Sequence, residues 1–109
     1  MSLLKNQQMF AFNVSRLLAF IYSKGLRCTL GEVWRTPEQA ELNAKRGIGI
    51  KNSLHCSRLA IDINLFSDHN EYLIDSEDYR VIGQYWESLH RLNKWGGLKD
   101  GNHFEMRED

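Results

Sequence analysis

At 109 residues with 42% hydrophobic content, the chain is long enough for one modest domain around a single core and too short for two. Residues 1–109 are therefore expected to fold as one domain and to act as a monomer. Fourteen basic and fourteen acidic side chains cancel, and no Lys/Arg run stands out, which argues against a partner chosen by bulk charge such as duplex nucleic acid.

No stretch reaches the roughly 18 consecutive apolar residues of a membrane span, so no stable membrane insertion is expected. Met1-Ser2-Leu3-Leu4-Lys5 lacks the basic start and uninterrupted apolar run of a secretory signal. A chain made and kept in the cytoplasm is the expectation, and Cys28 and Cys56 then read as reduced thiols.

From about Lys5 to Lys24, Phe10, Val14, Leu17, Leu18, Ile21 and Tyr22 recur at the spacing of an amphipathic helix, with Asn13, Arg16 and Ser23 falling between. Gly25 is a plausible C-cap. Arg27 to Trp34 reads as a strand weakened by Gly31. Thr36-Pro37 supplies an N-cap hydroxyl and a proline at the first helical position, so a helix is expected over Glu38 to roughly Arg46. The glycine-rich run Gly47 to Asn52 follows as a flexible connection that could control access to a neighbouring site.

Leu59 to Phe66 alternates Leu59, Ile61, Ile63 and Leu65 against Ala60, Asp62, Asn64 and Phe66, the period of a strand with one packed face. Ser67 to Asn70 is turn chemistry, and Glu71 to Ile74 is expected to return as a short antiparallel strand. Asp75 or Ser76 then caps a helix to about Asn93, with Val81, Ile82, Tyr85, Trp86 and Leu89 as its buried stripe, and Trp95-Gly96-Gly97 breaks it. A last strand, His103 to about Met106, is expected beside Leu59 to Phe66. The pattern is α+β, with helices packed on a small, mainly antiparallel sheet.

Chemistry concentrates in Ser53 to Asp62 and in Asp100 to Glu105. Catalytic zinc commonly takes three ligands from His and Asp/Glu and leaves a fourth position for water; His55, Asp62 and His103 supply that set. Asp100 stands three residues ahead of His103, where a carboxylate could take a proton from a bound water. Spacing alone leaves open both a metal site and a hydrogen-bonded polar cluster. Cys56 neighbours His55 but would point away from it on extended backbone. His69 and His90 read as solvent-facing, and Asp68 and Asp75 as turn and cap residues.

These segments resemble the zinc peptidases that include D-alanyl-D-alanine carboxypeptidases, D-Ala-D-Ala dipeptidases and bacteriophage L-alanyl-D-glutamate endopeptidases, which share a hedgehog-like fold. Their signature is Ser-x-His-x-x-Gly-x-Ala-x-Asp, followed by an acidic residue three before a final His. Ser53, His55, Ala60 and Asp62 match the first part, and Asp100 and His103 the second. Trp95-Gly96-Gly97 and Phe104-Glu105 look like the short phage branch. Arg35 and Gln39, within Glu32 to Gln39, fall where the family has a substrate-facing arginine and glutamine. The family's glycine is Arg58 here, which leaves two readings open: a contact to a substrate carboxylate or a brace for Asp62, or an exposed arginine at the start of a strand.

The resemblance implies one Zn²⁺ held by His55, Asp62 and His103, with Asp100 as base, Arg35 stabilising the oxyanion or holding a substrate carboxylate, and Ser53, Gln39 and Arg58 near the substrate. The implied reaction is hydrolysis of an amide in peptidoglycan stem peptides, by an endolysin that waits in the cytoplasm for a separate pore. The rival expectation is a non-catalytic binding or phage structural module of the same fold.

Overall fold

The computed structural model describes residues 2–47 and 53–108. Helix α1 (Leu3–Ser23) starts where Ser2 Oγ accepts a hydrogen bond from Lys5 N at 3.1 Å. It stops because Gly25, at φ 76°, lets Gly25 N reach Tyr22 O and Leu26 N reach Ile21 O, a Schellman closure that only a residue tolerant of positive φ makes cheaply. Its buried stripe is Asn6, Phe10, Asn13, Leu17 and Ile21. Asn13, expected on the polar side, is instead buried with no protein partner for its amide, while Tyr22 is exposed. The stripe is rotated toward the two asparagines.

Strand β1 (Arg27–Leu30) is shorter than the expected Arg27 to Trp34. It pairs antiparallel with β2 (Ala60–Phe66), Leu30 lying opposite Ile63. Beyond Leu30 the chain still follows β2 through Gly31 N to Asp62 O and Asp62 N to Glu32 O, at 2.7 and 3.0 Å. Gly31 keeps this approach close, since a Cβ on it would lie 3.1 Å from Asp62 Cβ. Helix α2 (Pro37–Lys45) is capped by Thr36, whose hydroxyl accepts from Gln39 N. The expected flexible connection falls largely on residues 48–52, outside the described residues.

A 3₁₀ turn, Leu54–Ser57, leads into β2. Along β2 the aliphatic side chains Ile61, Ile63 and Leu65 are buried and Asp62, Asn64 and Phe66 are partly exposed, as the alternation predicts. The expected strand at Glu71 to Ile74 reduces to one bridge, Phe66 to Tyr72, because Asn70 turns at φ 64° and the chain leaves the sheet after Leu73 bonds Leu65.

Asp75 caps a 3₁₀ turn, Ser76–Tyr79, that runs into α3 (Arg80–Ser88). This helix ends about five residues before the expected Asn93. The buried Asn93 side chain donates to Trp86 O at 3.0 Å and opens β3 (Asn93–Trp95), which pairs with β4 (His103–Met106). Val81, expected in the buried stripe, is exposed; Ile82, Gly83 and Trp86 are the buried residues.

The sheet order is β1-β2-β4-β3, all pairs antiparallel, so the expected α+β class is observed. One sheet face is covered by α1 and α3 through Phe10, Leu17, Ile21, Ile82, Trp86 and Phe104. Phe10 meets Trp86 edge-on with ring centroids 5.6 Å apart, and Trp86 donates to Glu105 O. The opposite face carries Asp62 and His103.

Gly83 is where α3 meets β3: an added Cβ would lie 2.1 Å from the Trp95 ring. Gly83→Ala is expected to lower stability by about 1–3 kcal/mol, the usual cost of overpacking. Chemical denaturation checks it, and an unchanged midpoint would contradict the packing.

Candidate metal centre

Two adjacent antiparallel strands and one turn build the centre. The β2–β4 register sets Asp62 directly opposite His103, so their side chains share one face of the sheet. His55 arrives from the 3₁₀ turn, whose first peptide is held by Ser53 Oγ accepting from His55 N at 3.2 Å. His55, Asp62 and His103 each present one ligand atom, and these atoms lie within 4.8 Å of one another.

Asp62 Oδ1 is 3.4 Å from His55 Nε2 and 3.4 Å from His103 Nδ1. Ligand atoms about 2 Å from a tetrahedral zinc ion stand about 3.3 Å apart, so the donor set suits that ion in type and the two Asp62–histidine separations suit it in spacing. The outward nitrogens are also occupied. His55 Nδ1 lies 3.3 Å from Val33 O and 3.7 Å from Glu32 Oε1. His103 Nε2 lies 2.8 Å from Glu105 Oε1. A carbonyl or carboxylate on the outer nitrogen fixes tautomer and ring orientation, leaving the other nitrogen for a metal. Among the described residues this is the one such group of three or more His, Cys, Asp or Glu side chains.

Charge is shared across the group. Burial opposes ionisation of Asp62, but hydrogen bonds and positive charge from His103 and His55 outweigh it and hold the carboxyl well below the usual range. Burial likewise disfavours a charged His103, yet hydrogen bonds to Asp62 and Glu105, with the charges of Glu105 and Asp100, raise it to about 9. The His103 contact pulls Glu105 down against its own burial, and Arg107 Nε, 3.0 Å from Glu105 Oε2, adds to this.

Asp100 stands beside the group. It follows a short 3₁₀ turn, Gly97–Lys99, is 61% exposed at its side chain, and places Oδ2 4.0 Å from His103 Nδ1. Its loop is pinned at three points: Gly96 N donates to His103 O, Trp95 Nε1 to Gly101 O, and Gly101 N to Ser76 Oγ. A Cβ at Gly96 would fall 2.1 Å from Asp100 O. Trp95-Gly96-Gly97, expected to break a helix, is thus the end of β3 and the seat of Asp100.

The remaining expected residues have the following partners. Arg35, outside any strand, has its guanidinium ion-paired with Glu32, and its backbone N donates to His55 O. Gln39 is exposed on α2 and bonds Asn43. Arg58 ends the 3₁₀ turn in the left-handed region, φ 55° and ψ 38°, and stacks its guanidinium 4.9 Å above the Trp34 ring without pairing to Asp62. That backbone is cheapest for glycine, which gives the physical reason for glycine in the resembled signature. Cys56 stays outside the group as a free thiol. His69 is exposed as expected, whereas His90 is half-buried and accepts from Leu92 N after α3.

Glu105, named in the sequence only within the Phe104-Glu105 resemblance, and Glu32, only as the start of the Glu32 to Gln39 segment, are assigned no role there. Glu105 had one signal, its place two residues from His103 on the same strand face; the Val33 carbonyl had none. Glu105→Ala is expected to weaken zinc binding about 10–100-fold, measured by chelator competition; affinity equal to wild type would contradict the bracing.

No protein-family profile and no curated protein matches the chain. Its fold is nevertheless shared with a solved structure. The L-Ala D-Glu endopeptidase ChiX of Serratia marcescens superposes with a TM-score of 0.71 over 94% of this chain and 84% of that one, at 18% identity. The two chains share a fold. No helix among the described residues is long and apolar enough to cross a membrane.

Proposed function

We infer that this chain is a zinc-dependent peptidase that hydrolyses an amide bond in peptidoglycan stem peptides. The observation that carries the reading is the convergence of His55 Nε2, Asp62 Oδ1 and His103 Nδ1, with both outward imidazole nitrogens occupied and one exposed carboxylate beside them. The shared fold with an L-Ala D-Glu endopeptidase supports the substrate class. Resemblance of the two motifs to the short phage branch favours a lysis enzyme working as a monomeric single domain.

His55, Asp62 and His103 would hold one ion. When bound, zinc supplies the Lewis acidity that lowers the pKa of an attacking water and polarises the scissile carbonyl. Asp100 takes the proton of that water and returns it to the leaving amine; its exposure and its place beside His103 suit a group that must meet both. Arg35, held by Glu32, is the cation assigned to the carbonyl oxygen as it gains charge, or to a substrate carboxylate. Ser53 sets His55 through its cap, while Gln39 and Arg58 are assigned to the substrate approach.

Clearing of purified peptidoglycan, with and without a chelator, tests the reading. Chelator-sensitive clearing is expected. Co-sedimentation with the wall and no clearing would instead identify a non-catalytic binding module.

A further inference from the structure

His55 reaches the metal centre from a turn that is fastened on two sides. On one side Gln7 of α1 donates to Ser57 O at 2.9 Å. On the other, the turn lies against the segment Glu32 to Arg35, and His55 O is the main-chain joint between them, accepting from Arg35 N at 3.2 Å and from Arg58 N at 3.3 Å. The same segment supplies Val33 O, 3.3 Å from His55 Nδ1, so the imidazole keeps its orientation only while turn and segment stay together.

Side chains close that joint as well. Trp34, next to Arg35 in the chain, is exposed, and Arg58 lays its guanidinium 4.9 Å from the centre of the indole. Arg58 has no carboxylate partner among the described residues, so the indole is what its charge meets. Its backbone sits at φ 55°, where any residue but glycine is held at a cost. Strain of this kind persists where the surrounding contacts over-determine it, and here those contacts are the His55 carbonyl and the Trp34 ring.

We propose that Arg58 and Trp34 form a clamp that holds the His55 turn against the Arg35 segment, which makes Arg58 a positioning residue for the metal ligand. Beyond its place on the substrate approach, Arg58 acts through His55. The inference rests on the metal-centre reading and adds two residues to it. The sign of the effect separates a clamp from simple charge. A guanidinium close to the centre repels a divalent cation, so removing its charge alone would favour zinc and slow its release. Opening the clamp frees His55 Nδ1 from Val33 O and speeds release. Trp34 carries no charge, so a clamp is what makes its loss equivalent to the loss of Arg58.

The test compares wild type, Arg58→Gln, Trp34→Leu, the double variant and Arg58→Lys as full chains. Zinc release to excess chelator is expected to be about two- to fivefold faster in Arg58→Gln and in Trp34→Leu, the range of one exposed cation–π contact. The double variant should release no faster than either single one, and Arg58→Lys should stay near wild type. Release as slow as wild type or slower in either single variant, or effects that multiply in the double one, overturns the clamp while leaving the metal centre intact. If the chain takes up no zinc, the metal-centre reading fails separately, and amide hydrogen exchange decides the clamp. The Arg35 and Arg58 amides of both single variants should then exchange about two- to fivefold faster relative to the Ile63 amide, which donates to Asn102 O in the sheet, and unchanged ratios overturn it.

Discussion

Asp100→Asn is expected to bind zinc as wild type does and to lose about 10²–10⁴-fold in kcat, the usual contribution of a positioned general base. The residue lies beside the ligand group and outside it, with Oδ2 4.0 Å from His103 Nδ1 and most of its side chain in solvent. Asparagine keeps the shape and removes the proton acceptor. Its backbone role is untouched, since Asp100 O still accepts from His103 N at 3.1 Å. Steady-state rates and metal content measured on the same preparation separate the two effects. A variant that retains full activity would remove Asp100 as the base.

The second large effect is on the ion itself. His55→Ala and His103→Ala should each abolish stoichiometric zinc binding and activity together, because each removes one of the three residues proposed to hold the ion. The pH dependence follows from His103. Without metal it is held protonated up to about 9 by Asp62 and Glu105, and a ligand nitrogen must be free of its proton. Zinc uptake at neutral pH therefore releases a proton, and apparent affinity rises by about tenfold per pH unit until that pKa is reached. Calorimetry in buffers of different ionisation enthalpy reads the proton directly. A binding enthalpy independent of buffer at pH 7 would contradict the assignment.

The sequence made some of this plain for local reasons. Alternation over Leu59 to Phe66 fixes β2 and the face of Asp62, and Thr36-Pro37 fixes the start of α2. His55, Asp62 and His103 are readable because their residue types are unusual so close to an apolar strand. What escaped depends on tertiary pairing. β3 is three residues long and sits in front of two glycines, so nothing local separates it from a helix end. Asn13 looks polar and is buried, since the tilt of α1 against α3 and the sheet decides which stripe is covered.

The bracing contacts were hidden for the same reason. Val33 acts through its backbone carbonyl, and Glu32 reaches both Arg35 and His55 only because the chain past Leu30 keeps following β2. Arg58 shows a different limit. The sequence marks it as a departure from glycine, but only the backbone, left-handed at that residue, explains what glycine would supply. The stack on Trp34 gives its side chain a place and offsets part of the strain, cation–π contacts at exposed sites contributing about 0.5–1 kcal/mol.

The most direct test of the account is mass spectrometry of defined muropeptides incubated with the zinc-loaded protein, the chelated protein, and the chelated protein given zinc again. Zinc-dependent hydrolysis is expected to give two fragments whose masses sum to the substrate plus one water, lost on chelation and restored by zinc. Intact muropeptides after incubation with stoichiometrically zinc-loaded protein would contradict it.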